Sequence, residues 1–335
     1  MDQGKSFTIG LDCRLAKTQS GIGRYTRELM SELAKRNDTH RYVFLYPDIP
    51  YYSLKEQLMM PKIIREAKLD LLHVPHFNVP LHCPVPFVVT IHDLILHHYP
   101  NQAGLMKRMA YKKLMKHAVQ KSEHIIAVSN STADDITKTY GDKFRSKTSV
   151  TYEGVSEWFQ PATDEEKNLI RTKHDLPEKF LLYIGACKEH KNVQALIDAC
   201  PDDQTLILVT GDIEKNHLKL RSNSRVLDDV SDNDLPALIS AATLYIQPSL
   251  YEGFGLPILE AMACGTTVVA SNRSSIPEIS GGKAILVEPT VKGLRSGIDE
   301  GLNAPSDPNQ MIEHAKNFSW EKMAEETANI YKRIL

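Results

Sequence analysis

Residues Gln247–Gly265 read Gln-Pro-Ser-Leu-Tyr-Glu-Gly-Phe-Gly-Leu-Pro-Ile-Leu-Glu-Ala-Met-Ala-Cys-Gly. The apolar run Leu244-Tyr245-Ile246 just before it has strand composition, and Pro248, which has no N–H for a ladder, should stop that strand. A glycine-loosened turn, Glu252-Gly253-Phe254-Gly255, comes next. Pro257 then suits the first turn of a helix running to Cys264, and Gly265 suits a left-handed cap. A strand, a Gly-rich turn and a helix start aim backbone N–H groups and the positive end of a helix dipole at one spot, which favours an anion. Two carboxylates bracket that spot. Glu252 lies in the turn, and Glu260 lies one turn inside the helix.

The same alternation of strand, turn and helix extends outward in both directions, so the chain reads as α/β. At 335 residues it exceeds one ordinary core and fits two domains. With 42% hydrophobic and 24% charged residues it is expected to be globular and soluble. Cys13, Cys83, Cys187, Cys200 and Cys264 have neither paired nor ligand-like spacing and read as reduced cysteines of a cytoplasmic protein. The start MDQGKSFTIG is polar and reads as a strand approach, not as a signal peptide. The longest uncharged run, Leu71–His92, contains Pro75, Pro80, Pro84 and Pro86 plus internal histidines, which rules out a membrane-spanning helix.

Charge is uneven along the chain. Residues 1–160 carry 22 Lys+Arg against 16 Asp+Glu, whereas residues 161–335 carry 18 against 26. Much of the basic excess sits in 106–121, an expected helix with Met106, Ala110, Leu114 and Ala118 in one apolar line. Arg108, Lys112 and Lys116 form a second, basic line, and no acid occurs between Asp93 and Glu123. Such a helix either packs one face on a core or lies on an anionic bilayer surface. Nothing in the chain points to nucleic acid.

In the first half, Phe7–Cys13 reads as a buried strand, followed by Gly21-Ile22-Gly23-Arg24 as a glycine turn opening a helix over Tyr25–Lys35. Pro86–Ile91 reads as a strand ending in His92-Asp93, and residues at such strand ends face the ligand crevice of an open α/β sheet. His73 and His76 fall near the preceding strand end and are weaker candidates. Ser131-Thr132-Ala133-Asp134 has the spacing of a capping box. In the second half, strand Phe180–Gly185 leads to Lys188, His190 and Lys191 at a strand-to-helix junction, where a lysine can counter phosphate charge. Asp232-Asn233-Asp234 is a literal Asp-x-Asp and reads as part of a capping box, not as a metal site.

The string PSLYEGFGLPILEAMACG, with seven residues between its two glutamates, resembles the signature of the retaining nucleotide-sugar glycosyltransferases of family 4, which have the GT-B fold. The opening GIGRY and the "HD" at His92-Asp93 resemble a mannosyltransferase-like branch of that family. The resemblance covers essentially the whole chain. It implies two Rossmann-like domains facing across a cleft: an acceptor-side domain over 1–158 and a nucleotide-sugar domain over 159–318. A C-terminal helix over 319–335 would pack back on the first domain.

The resemblance also assigns roles. The amides of Gly253, Phe254, Gly255 and Leu256, the Gly21–Gly23 loop with Arg24, and Lys188 and Lys191 would hold the donor diphosphate. Glu252 and His92 would face the transferred sugar, Glu260 the ribose hydroxyls, and Val230 the base. Ala186 and His190 stand where the family has arginines, and Lys188 lies close enough to compensate. The implied reaction is hexosyl transfer with retention and no required metal or cofactor. The donor would be GDP-mannose, with UDP-glucose as the alternative. The acceptor would be a glycan or a polyprenyl-diphosphate-linked sugar, in cell-surface polysaccharide or glycolipid synthesis. The implied location is the cytoplasm or the periphery of the plasma membrane's inner face. A glycosidase, a sugar-nucleotide epimerase and a catalytically silent partner subunit are the competing readings. The phosphate-binding turn between the two glutamates argues against hydrolysis, and the GIGRY and EGFGLP strings argue against epimerisation.

Overall fold

The computed structural model describes residues 6–37, 39–211 and 217–335. They form two compact units. Unit 1 comprises the described residues up to Gly154 together with Trp320–Leu335, and unit 2 comprises Val155–Ser319. The sequence division at 158/159 therefore falls a few residues late. Val155 N–H already bonds to Phe318 O at 2.9 Å, which ties both ends of unit 2 together.

Unit 1 runs β1 (Thr8–Asp12), α1 (Gly21–Lys35), β2 (Arg41–Leu45), α2 (Leu54–Glu66), β3 (Leu71–Val74), β4 (Phe87–Ile91), α3 (Ile95–His98), α4 (Leu105–Lys121), β5 (His124–Ala127), α5 (Asn130–Tyr140) and β6 (Thr148–Val150). Its six strands are all parallel, in the order β2-β1-β3-β4-β5-β6. Unit 2 runs α6 (Asp164–Lys173), β7 (Leu181–Ile184), α7 (Val193–Ala199), β8 (Leu206–Val209), β9 (Ser224–Leu227), α8 (Leu235–Ala241) and β10 (Leu244–Gln247). It continues with α9 (Leu256–Ala263), β11 (Val268–Ser271), α10 (Ile276–Ser280), β12 (Ile285–Val287), α11 (Val291–Asn303) and α12 (Pro308–Ala315). Its sheet is also parallel, in the order β12-β11-β10-β7-β8-β9.

The central strands are mostly apolar because a parallel sheet is covered on both faces. Phe87–Ile91 and Val268–Ser271 are buried along their full length. One core of unit 1 joins Met60 and Ile64 of α2, Tyr111, Met115 and Val119 of α4, and Ile136 of α5 over the sheet. The last helix, α13 (Trp320–Ile334), packs within unit 1 against α1. Tyr331 on it is wholly buried, and its hydroxyl lies 2.5 Å from His73 Nδ1.

Three local readings change. The Gly21-Ile22-Gly23 segment is the first turn of α1, not a loop, with the Ser20 hydroxyl accepting from Gly23 N–H at 3.2 Å. A Cβ at Gly23 would meet Thr18 O at 2.3 Å, so this glycine serves a close approach of backbone. α5 starts earlier than expected, capped by Ser129, whose hydroxyl accepts from Thr132 N–H. No capping box forms at α8 either: Asp232–Asp234 is a 3-10 turn, and the Asp234 carboxylate instead takes Lys173 Nζ and Ser231 Oγ, both at 2.7 Å.

α4 also differs. Its buried line is Tyr111, Leu114, Met115, Ala118 and Val119, while Met106 at its start is 80% exposed. Leu105 and Met109 are likewise exposed and share the outward side of the helix with Lys112, Lys113 and Lys116. Among the described residues no helix is long and apolar enough to cross a membrane.

Candidate functional site

In unit 2 the site grows from the end of β10. Pro248 stops the strand, and Gly255 takes φ +110°, a left-handed conformation that starts α9 with Pro257 in its first turn. Gly253, Phe254, Gly255 and Leu256 thus lie along one turn between Glu252 and the helix, as the motif anticipates. Gly265, at φ +74°, ends it. Glu260 lies within α9 and is 5% exposed.

Glu252 is the centre of a dense hydrogen-bond cluster. Lys191 Nζ lies 2.7 Å from each of its carboxylate oxygens, and Gln247 Nε2 and Ser249 Oγ each donate to Oε1 at 2.7 Å. Burial alone would raise this carboxyl; the charge of Lys191, the bonds from Lys191 and Ser249, and nearby His190 outweigh it and leave Glu252 below its ordinary value. It is therefore held ionised. The backbone of the turn is fixed from the loop after β11. Ser274 Oγ accepts from Glu252 N–H at 2.8 Å, and Ser275 Oγ donates to Glu252 O at 3.0 Å and Phe254 O at 2.7 Å.

Lys191 ends a 3-10 turn over Glu189–Lys191, and Asn192 follows in the left-handed region at φ +55°. The Asn192 side chain donates to Pro248 O and Pro289 O, and Leu250 N–H bonds to His190 O at 2.7 Å. His190 is buried, and burial, followed by the charge of Lys191, pushes it down to about 4. It is neutral near neutral pH and does not replace the positive charge of an arginine. Lys188 is exposed at the start of the same turn. Val230 is half-buried in the segment after β9.

In unit 1, His92 follows β4 directly, at the carboxyl end of the strand. Its Nδ1 is 2.9 Å from Glu153 Oε1 and its Nε2 is 3.2 Å from Pro75 O. Tyr25 of α1 meets its ring edge-on, with centroids 4.8 Å apart. The start of α1, carrying Gly21, Gly23 and Arg24, thus packs beside His92. His73 is not a ligand candidate: it lies inside β3, wholly buried between Tyr331 Oη and Thr90 Oγ1. Burial first, then His92, pushes its pKa down to about 3.

Sequence reading missed several of these residues. Gln247, Ser249, Ser274 and Ser275 support Glu252; the first two lie unassigned within the opening stretch, and the only sequence sign of the two serines is the polar run Asn272-Arg273-Ser274-Ser275 after a strand. A buried charge cluster in unit 1 was also missed. The Arg14 guanidinium binds Asp12 through Nε and Nη2, binds Glu56 through Nη1 at 2.7 Å, and lies 4.1 Å from the Tyr51 ring centroid. Glu56 further accepts from Asn78 Nδ2 and Tyr52 N–H, both at 2.8 Å. The cluster anchors the segment that leads from β1 to α1.

Comparison with known proteins places these features in context. A family model described as "Glycosyltransferase Family 4" matches residues 19–157, and one described as "Glycosyl transferases group 1" matches 164–318. The chain is 29% identical to O-antigen chain mannosyltransferase B of Escherichia coli, over 94% of this chain and 96% of that protein. It is 26% identical to O-antigen chain mannosyltransferase RfbU of Salmonella typhimurium, over 83% and 78% respectively. Among solved structures, sucrose-phosphate synthase from Thermosynechococcus elongatus superposes with a TM-score of 0.78 at 20% identity, over 98% of this chain and 99% of that one.

Proposed function

Because the chain belongs to glycosyltransferase family 4, in its mannosyltransferase-like branch and with the GT-B fold, we propose that it transfers mannose from GDP-mannose to a hydroxyl of a glycan or polyprenyl-diphosphate-linked acceptor. In this reading the anomeric configuration is retained, no metal is required, and the product enters a cell-surface polysaccharide or glycolipid. The observation that carries it is the ionised Glu252, fixed by Lys191, Gln247 and Ser249 at the start of α9. A carboxylate so held has one orientation before any ligand arrives, which is the preorganisation that catalysis by charge requires. The turn amides of Gly253–Leu256 would receive the departing diphosphate, Glu260 the ribose, and His92 the sugar. Mannose is read from the two O-antigen mannosyltransferases to which the chain is similar.

The test is mass spectrometry of products from a panel of nucleotide sugars, with and without chelator. Thermal-shift titration should show GDP stabilising more than UDP, since a ligand of the folded state raises its stability. A larger shift with UDP makes UDP-glucose the donor. The missing arginine and the neutral His190 favour one second reading, a silent partner subunit. No donor turnover by the purified chain would support it.

The face of α4 that mixes Leu105, Met106 and Met109 with Lys112, Lys113 and Lys116 suits an anionic bilayer, with about 1 kcal/mol per basic residue near the surface. Liposome binding should require acidic lipid, weaken with salt and disappear on charge reversal of Lys112 and Lys116. Binding indifferent to salt and lipid charge would remove the membrane from this reading.

A further inference from the structure

We propose that Glu153 is the positioning residue of His92, the buried carboxylate that holds this imidazole in one orientation with both ring nitrogens donating. The inference rests on the reading of His92 as a group facing the transferred sugar, but its structural half stands without it.

Hydrogen-bond chemistry sets the protonation of the ring. Glu153 Oε1 lies 2.9 Å from Nδ1, and Pro75 O lies 3.2 Å from Nε2. A carbonyl oxygen accepts only, and so does a carboxylate. With Glu153 as a carboxylate, both contacts are satisfied together only when both nitrogens carry protons, and Glu153 then balances the ring charge. Glu153 is 4% exposed. A carboxylate at that depth is costly unless a charged donor matches it, and breaking such a pair from either side leaves the other charge stranded.

The other rings around His92 meet hydroxyls or a backbone N–H. Tyr25 from α1 presents its ring edge-on, and its hydroxyl is 3.1 Å from Thr90 Oγ1. His73 of β3 bonds to hydroxyls alone, and burial and His92 hold it neutral, at about 3. His76, after β3, is pushed down to about 3 by burial, with His92 and Arg14 adding to it. Of these three histidines it is His92 whose ring meets a carboxylate. Its backbone is fixed as well, since the Thr132 hydroxyl donates to His92 O at 3.2 Å.

The consequence for transfer concerns net charge. Cleavage at an anomeric carbon passes through an oxocarbenium-like state. An imidazolium neutralised by Glu153 would add no net positive charge beside that state, and its Nε2–H, released from the longer contact to Pro75 O, would donate to a sugar hydroxyl. Glu153 need not touch the sugar. It acts through the ring.

The experiment has a spectroscopic arm and a kinetic arm. In the ligand-free protein near neutral pH, nitrogen-15 spectra of the His92 ring, assigned with His92→Gln, should show protons on both nitrogens. Glu153→Gln, which keeps an acceptor oxygen but removes the charge, should convert the ring to a single-proton form. In turnover, Glu153→Gln should lower kcat on the order of 10–100-fold, the range known for partners that orient ligating histidines. KM for donor and affinity for free nucleotide should stay near wild type, and Glu153→Asp should recover part of the rate. The double variant Glu153→Gln with His92→Ala should be no slower than His92→Ala alone. A singly protonated ring in the wild type, or additive losses in the double variant, overturns the proposal. Because the spectra need no substrate, failure of the donor assignment would leave that arm intact and be recognised separately.

Discussion

Replacing Lys191 by methionine keeps its length and removes its charge, and the geometry around Glu252 bounds the loss. The Lys191 side chain is 21% exposed and the Glu252 side chain 10%, with Nζ at 2.7 Å from both oxygens. Removing one partner of a fully buried pair costs about 3–5 kcal/mol. Here the lysine is partly solvated, and Gln247 and Ser249 remain as donors to Oε1. The expected loss is therefore about 1.5–3 kcal/mol, the range for one hydrogen bond to a charged group. The pH dependence comes from Glu252, whose folded value lies below the ordinary 4.5. A depressed carboxyl contributes stability that is complete above its unfolded value and is lost as pH falls through the folded value. The gap between wild type and Lys191→Met should thus be full at neutral pH and shrink below about 4.5. Urea unfolding followed by Trp158 fluorescence in a Trp320→Phe background reports on unit 2, because each unit holds one of the two tryptophans. With a urea slope of about 2 kcal/mol per molar, the midpoint should move by about 0.7–1.5 M. A gap that stays constant from neutral to acid pH would refute the assignment of the lost stability to the Lys191–Glu252 pair.

Three further outcomes are expected. Glu260→Ala should weaken binding of GDP by about 1.5–3 kcal/mol in calorimetry, whereas Glu252→Ala and His92→Ala should bind it nearly normally and turn over slowly; equal GDP affinity in Glu260→Ala and wild type would reverse the roles of the two glutamates. Tyr331→Phe leaves His73 Nδ1 without its hydroxyl partner in a fully buried place, and unit 1, followed by Trp320, should lose about 1–3 kcal/mol. His73 and His190 have folded values lowered to about 3 and about 4, so the unfolded chain takes up their protons first. Stability should be complete above about 6.5 and fall by up to about 1.4 kcal/mol per pH unit per histidine as the solution is acidified, levelling near those folded values; a flat urea midpoint between neutral pH and about 5 would contradict their burial as neutral rings.

The alternation of apolar runs, glycine turns and amphipathic segments was enough to read two parallel α/β units. The family resemblance implied the C-terminal helix over 319–335, observed as Trp320–Ile334. The alternation also located the turn from Glu252 to Leu256. These are local signals: a proline that cannot donate, a glycine at positive φ, a strand with no polar interruption. Legibility failed where the decisive partner is remote in the chain or where two near neighbours compete for one role. Ser129, and not Ser131, caps α5 because its hydroxyl is the one that reaches Thr132 N–H. Met106 repeats at helical spacing with Leu114 yet projects outward, since the start of α4 extends beyond the core that buries Tyr111 and Met115.

His73 looked like a ligand candidate. Its position inside β3, against a tyrosine 258 residues away, makes it a core group instead. The motif likewise named Glu252 and Lys191 but not the fourfold hydrogen-bonding that fixes the carboxylate, nor the serines after β11 that hold the turn. Sequence determined which backbone can bend, where a helix can begin and which runs must be covered on both faces, because those depend on each residue and its near neighbours. Tertiary structure alone decided which charges meet, as with Glu153 and His92 or Arg14 and Glu56. A buried ion pair exists only once folding brings together side chains that no sequence spacing relates, and removes the water that would otherwise have solvated each of them.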